Sequence, residues 1–342
     1  MEPLLYSAGM GLEAANFEPH PLLKNGHLMT IAAAWWIRKF DLPKPETRLF
    51  QVDAESKILG HCHWQTGKRR DAPVIALVHG LEGSSDSNYM RGIAEKAWAS
   101  GFHVVRLNQR NCGGSEPLTP TLYNSGMSGD YRAIFEELAN ADGFEQIFFA
   151  GYSMGGNLVT KMAGEFGDSA PRQLRAVCAV CPAMDLAACA DELERWDNYF
   201  YQARFVRGLM KRYQRKAELF PERYSKNGFA PIRTVREFDD AITAPNFGFK
   251  DAQQYYESAG AKRVVAQIRV PYLLITAQDD PFVPYEAIRA SGAEKNPAIR
   301  FVAPQHGGHC GFVSRRPGRH RFWAEEQIVD FCKQQLSRSA AR

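Results

Sequence analysis

A serine in a glycine-flanked turn is the strongest chemical signal in the sequence. Residues 151–155 read Gly-Tyr-Ser-Met-Gly and lie between an apolar run predicted as a strand, 147–150, and a predicted helix, 155–164. A strand–turn–helix of this kind is so tight that the positions two before and two after the serine must lack side chains. The helix directs its unpaired N–H groups at the same place, which favours developing negative charge. The pattern predicts Ser153 as a nucleophile; the alternative is a glycine-rich turn with an inert serine.

Two adjacent aspartates follow the predicted strand at 272–276. A serine turn like the one at 151–155 belongs to catalytic sites in which the serine, the acid and the histidine follow one another in that order along the chain. In such sites the acid lies on the loop after this strand. An Asp-x-x-Val-Pro ending places the acid three residues before Val283, which selects Asp280. Asp279 is the alternative, and the unused aspartate would be a turn or cap residue.

Glycines surround a histidine on the loop after the predicted strand at 300–302. Residues 306–312 read His-Gly-Gly-His-Cys-Gly-Phe, and the glycines allow this loop to carry an imidazole into a cleft. We predict His309 as the base, with one ring nitrogen toward the serine and the other toward the acid. His306 is the alternative within the loop.

An earlier loop, residues 79–85, follows an apolar strand at 74–78 and reads His-Gly-Leu-Glu-Gly-Ser-Ser. Acyl transfer from a serine needs two backbone N–H donors for the oxyanion, one from the residue after the nucleophile and one from a loop in this place. Met154 and Leu81 are the predicted donors. His79 is expected to shape the loop, and its alternative role is that of the base.

Alternating strands and helices must position these loops. Fully apolar strands separated by helices are typical of a parallel sheet with helices on both faces, so the predicted class is α/β, with a mostly parallel central sheet in the α/β-hydrolase arrangement. The predicted strands lie at 74–78, 104–107, 147–150, 176–181, 272–276 and 300–302, and the predicted helices at 89–100, 130–141, 155–164 and 322–336.

A single domain over residues 1–342 accounts for the length. Residues 1–46 form an arm with one short helix about 28–38, and 47–66 form a hairpin with Gly60 between its two strands. Residues 185–250 are helix-like and aromatic, without strand candidates. An insertion between late strands of a parallel sheet predicts a helical cap over the carboxyl edge, where ligands bind.

Charge and composition exclude several classes of protein. The chain is 45% hydrophobic and 23% charged, and its net charge of +4 is too small and too dispersed for a nucleic-acid footprint. The start lacks a secretory signal, and the apolar run at 31–37 is too short to span a bilayer, so a cytoplasmic location without an integral membrane segment is expected. His61 and His63 share a strand face without a third ligand, and we expect neither metal nor organic cofactor.

Seven cysteines are an odd number without a paired framework. Cys178 and Cys181 form a C-x-x-C within an apolar run, but strand periodicity would place their sulfurs on opposite faces. The expectation is free, buried thiols in a reducing compartment.

Several segments outside these loops identify a family resemblance. The chain resembles the YheT-like α/β-hydrolases of bacteria, which are related to ABHD1/ABHD3-like esterases and to yeast medium-chain ester synthase/esterases. The segments at 23–30 (Leu-Lys-Asn-Gly-His-Leu-Met-Thr) and 237–240 (Glu-Phe-Asp-Asp) are the most specific to this branch. The other matching pieces are residues 79–83, Arg110 with the glycines that follow it, 122–124, 151–155, 254–256 and the Asp280 and His309 loops.

The resemblance implies a Ser153–Asp280–His309 triad acting on small-molecule or lipid-like carboxylic esters with short to medium acyl chains. Some relatives act on phospholipids or transfer acyl groups to alcohols, so acyl transfer with the same triad is one alternative, and a non-catalytic binding protein on this fold is another. The sequence leaves the oligomeric state open. Five cap aromatics are either acyl-binding surface or cap core: Trp196, Tyr199, Phe200, Tyr201 and Phe205.

Overall fold

An eight-stranded sheet forms the centre of the molecule, with the order β1-β2-β4-β3-β5-β6-β7-β8. The computed structural model describes residues 17–67, 69–225 and 230–340. The strands are β1 (Glu46–Gln51), β2 (Lys57–His63), β3 (Val74–Val78), β4 (His103–Asn108), β5 (Ile147–Tyr152), β6 (Leu174–Val180), β7 (Tyr272–Ile275) and β8 (Ile299–Val302). The pairs β1–β2 and β2–β4 are antiparallel, and all other neighbours are parallel. The predicted α/β class with a mostly parallel sheet is confirmed.

Helices cover both faces of this sheet, which is why the inner strands are apolar along their whole length. The helices are α1 (Gly26–Trp35), α2 (Asn88–Ala99), α3 (Ser128–Glu136), α4 (Met154–Phe166), α5 (Leu186–Leu193), α6 (Tyr199–Leu219), α7 (Val235–Phe238), α8 (Ala244–Asn246), α9 (Ala252–Ala259), α10 (Tyr285–Ala290) and α11 (Trp323–Ala340). Helices α2 and α11 bury their apolar sides against one face, and α3 and α4 pack on the other.

The hairpin at the edge of the sheet turns elsewhere than expected. The turn lies at residues 52–56, and Gly60 sits within β2 opposite Arg48. A Cβ atom at position 60 would lie 2.7 Å from the Phe50 ring, so the glycine makes room for a buried aromatic side chain and does not form the turn.

The arm helix begins and ends earlier than the predicted 28–38. The Asn25 side chain accepts a hydrogen bond from the Leu28 N–H at 3.1 Å and so caps α1 at Gly26. The backbone of Trp36 is extended, which ends the helix at Trp35. Residues 1–16 of the predicted arm lie outside the described residues.

The chain between β6 and β7 folds over the carboxyl edge of the sheet. It contains α5 to α9, with short helical turns that continue to residue 267, and its described part contains no strand. Helix α6 is the longest element here, and its inner side is buried. In the described ranges 17–67, 69–225 and 230–340, no helix combines the length and the apolar character needed to cross a bilayer.

The expectation for Cys178 and Cys181 was wrong in its geometry. Strand β6 ends at Val180, and Cys181 has a φ of +45°, so the strand alternation stops before the second cysteine. Both side chains therefore belong to the same apolar cluster on one face of the sheet. Both thiols are free and buried.

Candidate active site

The nucleophile turn has the strained geometry that its sequence requires. Ser153 adopts a φ of +54°, which non-glycine residues rarely do, between the end of β5 and the start of α4. A Cβ at Gly151 would lie 2.2 Å from the Gly155 carbonyl oxygen, and one at Gly155 would lie 2.4 Å from the Val78 carbonyl oxygen. The two glycines therefore allow backbone segments to approach closely enough to hold the serine in this conformation.

The structure brings the three predicted residues together. The Ser153 Oγ lies 2.8 Å from the Nε2 of His309. The Nδ1 of the same ring lies 2.9 Å from Asp280 Oδ2, with the Asp280 side chain fully buried. The backbone N–H groups of Phe282 and Val283 donate to Asp280 Oδ1 at 2.8 and 3.0 Å, and so fix the carboxylate toward the imidazole.

The electrostatics around His309 strengthen it as a base. Burial lowers the pKa of His309, but the charges of Asp280 and of the neighbouring Cys310 outweigh burial and raise the pKa well above its usual value. Because a stronger base takes a hydroxyl proton more readily, the arrangement is suited to activating Ser153.

Asp279 and His306 form a separate pair beside this site. The Asp279 Oδ2 lies 3.3 Å from His306 Nδ1, and its Oδ1 accepts the backbone N–H of Gly308 at 2.9 Å. Neither side chain reaches the Ser153 hydroxyl through a described hydrogen bond. The pair holds the loop that carries His309.

Helix α1 supports the same loop from the other side. The Thr30 hydroxyl accepts the backbone N–H of His309 at 2.8 Å and donates to the Gly26 carbonyl at 2.7 Å. A Cβ at Gly26 would lie 1.9 Å from the Asp279 carbonyl oxygen, so only glycine permits this contact. The segment at 23–30, which the sequence marks as a family signature, therefore packs beside the site and supports the loop of the predicted base; no local pattern shows these contacts.

The loop after β3 carries one of the two predicted oxyanion donors. Within the described residues, no acceptor takes the backbone N–H of Leu81 or of Met154. The Gly80 N–H donates to the Tyr89 hydroxyl at 2.9 Å, which fixes the loop beside Ser153. Both free N–H groups thus remain available for a ligand oxygen near the serine.

His79 is not placed to act as the base. Its Nε2 accepts the backbone N–H of Gln109 at 3.0 Å, and its Nδ1 lies 2.8 Å from the Gly80 carbonyl. Burial lowers the pKa of His79 to about 4, so the ring is neutral at ordinary pH. It shapes the loop, as expected from the sequence.

The same loop is tied to the cap, a link that sequence reasoning missed. Glu82 Oε1 accepts hydrogen bonds from the Tyr123 hydroxyl at 2.9 Å and from Arg212 Nε at 2.7 Å. Arg212 lies on α6 and also donates to the Asn111 carbonyl at 2.5 Å. Since 130 residues separate Glu82 from Arg212 in sequence, spacing alone carries no signal for this pair.

Two cavities open on either side of the serine. The first, of about 120 Å³, lies beneath α5, α6 and α7 and has apolar walls that include Leu186 and Ala190. The second, of about 340 Å³, lies between α1 and the start of α6, with Tyr201 in its wall. Ser153 and His309 line both cavities, so the two spaces meet at the reactive groups.

The five cap aromatics divide into two groups. Phe205 lines both cavities and Tyr201 lines the second. Trp196, Tyr199 and Phe200 are largely exposed, so for them both interpretations, acyl-binding surface and cap core, are wrong. For Tyr199 and Phe200 the reason is helical periodicity, because the buried face of α6 carries positions 202, 206 and 209. Trp196 lies in the short helical turn before α6.

Comparison with known proteins establishes the class of the molecule. Residues 73–315 match the alpha/beta hydrolase fold family, and the chain belongs to this family. The candidate esterase YheT of Escherichia coli (strain K12) is 29% identical over 320 residues, which cover 93% of each chain. The resemblance drawn from the sequence is therefore confirmed.

Two further proteins, one compared by sequence and one by structure, are also similar to this chain. Medium-chain fatty acid ethyl ester synthase/esterase 2 of Saccharomyces cerevisiae is 30% identical over 289 residues, 76% of this chain and 62% of the yeast protein. Est1E from Butyrivibrio proteoclasticus superposes with a TM-score of 0.55 at 16% identity, over 85% of this chain and 99% of Est1E. The latter likeness concerns the fold alone. The named relatives support a hydrolase.

Proposed function

We propose that the protein is a serine hydrolase that cleaves carboxylic esters, with Ser153 as nucleophile, His309 as base and Asp280 as the acid that orients the base. The observation that carries the proposal is the position of one imidazole ring, with Nε2 2.8 Å from Ser153 Oγ and Nδ1 2.9 Å from Asp280 Oδ2. A nucleophile bonded to a base, which is bonded in turn to an orienting acid, is the arrangement that activates a serine hydroxyl.

The reaction proceeds by acyl transfer to the serine. His309 takes the hydroxyl proton as Ser153 attacks the ester carbonyl, and the N–H groups of Leu81 and Met154 stabilise the oxyanion of the tetrahedral intermediate. The intermediate collapses with a proton from His309 to the leaving alcohol. Water, activated by His309, then releases the acid and restores the serine. Asp280 holds the imidazole tautomer and stabilises its positive charge.

The two cavities supply separate places for the two parts of an ester. The apolar cavity of about 120 Å³ fits a short to medium acyl chain, and the larger cavity of about 340 Å³ fits the alcohol part. A carbonyl carbon placed at the Ser153 hydroxyl would then lie where the cavities meet. This supports an ester with substantial groups on both sides of the scissile bond.

Acyl transfer to an alcohol is the second candidate function. The large cavity beside the serine offers room for an acceptor alcohol in place of water, and the yeast relative is named as both a synthase and an esterase. The partition between water and alcohol is read directly from the products formed when short alcohols are added.

A fluorophosphonate probe tests the proposal. We expect wild type to be labelled and Ser153→Ala to be unlabelled at equal thermal stability. A series of p-nitrophenyl esters from acetate to laurate then reports the acyl length that the first cavity accepts. A folded wild type that takes no label and cleaves no ester of the series would contradict the proposal and favour a binding role.

A further inference from the structure

Helix α1 presents apolar side chains to solvent where a surface helix ordinarily presents polar ones. Leu28, Ile31 and Trp35 follow each other at helical spacing on its outer side, with Trp35 exposed by 74%. Ile37, just beyond the helix, is exposed by 92%. The inner side of α1 is already occupied by contacts to the His309 loop, so this outer stripe is a second, unburied face.

The exposed aromatics before and at the start of α6 extend this surface. Trp196 is exposed by 88% and Phe200 by 83%. The rings of His27 and Tyr201 stack with their centroids 5.8 Å apart, which joins α1 to the start of α6. We name the combined surface the apolar rim; its members are Leu28, Ile31, Trp35, Ile37, Trp196, Tyr199 and Phe200. Several large apolar side chains exposed on two helices that contact each other are typical of an interaction site.

The rim borders the mouth of the second cavity. Ile31 and Trp35 belong to the rim and also line that cavity, which reaches Ser153 and His309. Whatever covers the rim therefore lies at the entrance to the serine.

Exposed cations lie next to α1 and on α6, the two helices that carry most of the rim. Lys24, Lys39, Arg204, Arg207 and Lys211 are exposed, and none of them forms an ion pair with any residue that the structure describes. Beside Trp196, Arg195 is shared between two acids, Asp197 and Glu192, so the unpaired positive charge comes from the residues next to α1 and from α6. Aromatic side chains flanked by unpaired cations match the surface of an anionic bilayer, where aromatics enter the headgroup layer and each cation strengthens binding about fivefold.

We propose that the apolar rim docks on the surface of an anionic lipid bilayer, with the second cavity facing the lipid. The docking itself needs no catalysis; the delivery of an ester from the lipid to Ser153 rests on the proposed function. The full-length Ser153→Ala protein is sedimented with vesicles of phosphatidylglycerol and phosphatidylcholine, and with phosphatidylcholine vesicles alone. We expect binding to the anionic vesicles and at least tenfold weaker binding to the neutral ones.

A rim variant and a matched control locate the contact. The double substitution Trp196→Ser/Phe200→Ser should weaken binding to anionic vesicles at least tenfold and leave cleavage of soluble p-nitrophenyl acetate unchanged. Leu49→Ser removes an exposed apolar side chain from β1, at the edge of the sheet, and should bind as the parent does.

Three outcomes would overturn the docking proposal. They are absence of binding by the parent protein, equal loss in the Leu49 control, and a concentration-dependent dimer that the rim substitutions abolish, which would assign the rim to a second copy of the chain. Since vesicle binding is measured on a protein without the serine, a failure of the ester proposal leaves its result intact.

A pair of cysteines beside His309 carries an independent inference. Cys310 follows His309 directly and lines the second cavity, whereas Cys181 is fully buried beneath it. The two sulfur atoms and a ring nitrogen of His309 lie within 4.8 Å of one another. The backbone N–H of Cys310 points at the Cys181 sulfur, 3.4 Å away. A thiol open to a cavity and next to a second thiol is the arrangement of a redox-sensitive pair.

We infer that hydrogen peroxide joins Cys310 and Cys181 in a disulfide that inactivates the site. The Cys310 thiolate attacks one peroxide oxygen and releases hydroxide, which leaves a sulfenic acid. The Cys181 sulfur then attacks the Cys310 sulfur, and the sulfenic oxygen leaves as water, so that two thiols are oxidised and the peroxide is reduced to two waters. Burial raises the pKa of the Cys310 thiol, but the Cys181 hydrogen bond and the charge of His309 outweigh it and lower the pKa to about 6.

A disulfide bond of about 2.05 Å requires the two sulfurs to move closer together, and because Cys310 is the residue next to His309, this movement disturbs the backbone that carries the base. The loss of activity rests on the proposed function, whereas the crosslink is detected by mass spectrometry without any substrate. Peroxide should reduce esterase activity at least tenfold, and dithiothreitol should restore it. Tryptic peptides 176–195 and 301–315 should then be crosslinked. In Cys181→Ser the crosslink and the reversible loss should both vanish, whereas Cys178→Ser, a change in β6 three residues before Cys181, should respond as wild type does. Resistance of the wild type, or reversible loss without the crosslink, would overturn the inference.

Discussion

Replacing Thr30 by valine tests whether the N-terminal helix positions the base. Valine keeps the shape of the side chain but removes the hydroxyl that accepts the His309 N–H at 2.8 Å and donates to the Gly26 carbonyl at 2.7 Å. The His309 N–H would then have no acceptor in a partly buried place, which costs about 1–2 kcal/mol of the free energy of unfolding.

The catalytic effect follows from the same hydrogen bond. A bond of this kind is worth about 0.5–1.5 kcal/mol net, and if that amount is lost from the transition state, kcat falls about 2- to 12-fold. The assay is steady-state cleavage of p-nitrophenyl butyrate, combined with urea denaturation of the same preparations. Thr30→Ser returns the hydroxyl and should restore kcat to near the wild-type value.

Thr160→Val provides the matched control. The Thr160 hydroxyl is also buried and hydrogen-bonded within its helix, to the Gly156 carbonyl, but it has no contact with His309. This variant should lose stability and keep its kcat. The reasoning is refuted if Thr30→Val keeps full kcat, or if both variants lose kcat in proportion to their lost stability.

Four further results follow from the site. Asp280→Asn should lower kcat about 10⁴-fold, whereas Asp279→Asn, which loosens only the loop, should lower it less than tenfold in the same ester assay. Because the neutral imidazole of His309 is the active form and its pKa is raised, kcat/KM should rise with pH with a midpoint above about 6.5; a midpoint at or below that value would contradict the Asp280 contact. Ala190→Trp should fill the first cavity and lower kcat/KM for the octanoate ester at least tenfold relative to the acetate ester. Gly26→Ala places a Cβ 1.9 Å from the Asp279 carbonyl oxygen and should cost about 1–3 kcal/mol of stability by urea denaturation.

The parts of the site that are local in sequence could be predicted from it. The Ser153 turn lies within one strand–helix junction, and short-range sterics determine which residues it tolerates. The choice of Asp280 over Asp279 rested on a spacing of three residues, and the structure places Asp280, not its neighbour, against the imidazole. Hydrophobic runs likewise located the inner strands within one or two residues.

The parts that depend on distant contacts could not be predicted. In the sequence, Gly60 suggested a turn. Glycine is needed there because the Phe50 ring of the neighbouring strand occupies the space that a side chain would fill, and the sequence does not show this contact. The link from Glu82 to α6 joins residues far apart in the chain. The exposed aromatics of the cap look like core residues in sequence, because composition does not reveal which face of a helix meets the rest of the protein.

The support of His309 by α1 has a consequence for the order of folding. The hydrogen bond between Thr30 and His309 closes a loop of 279 residues, whereas the Ser153 turn closes within a few. Contacts of such high sequence separation form late, because the chain entropy of a long loop is lost before the contact stabilises it. A ribosome-bound chain that has exposed the serine turn still lacks its base, so hydrolytic activity reports the completed fold and not the presence of a folded sheet.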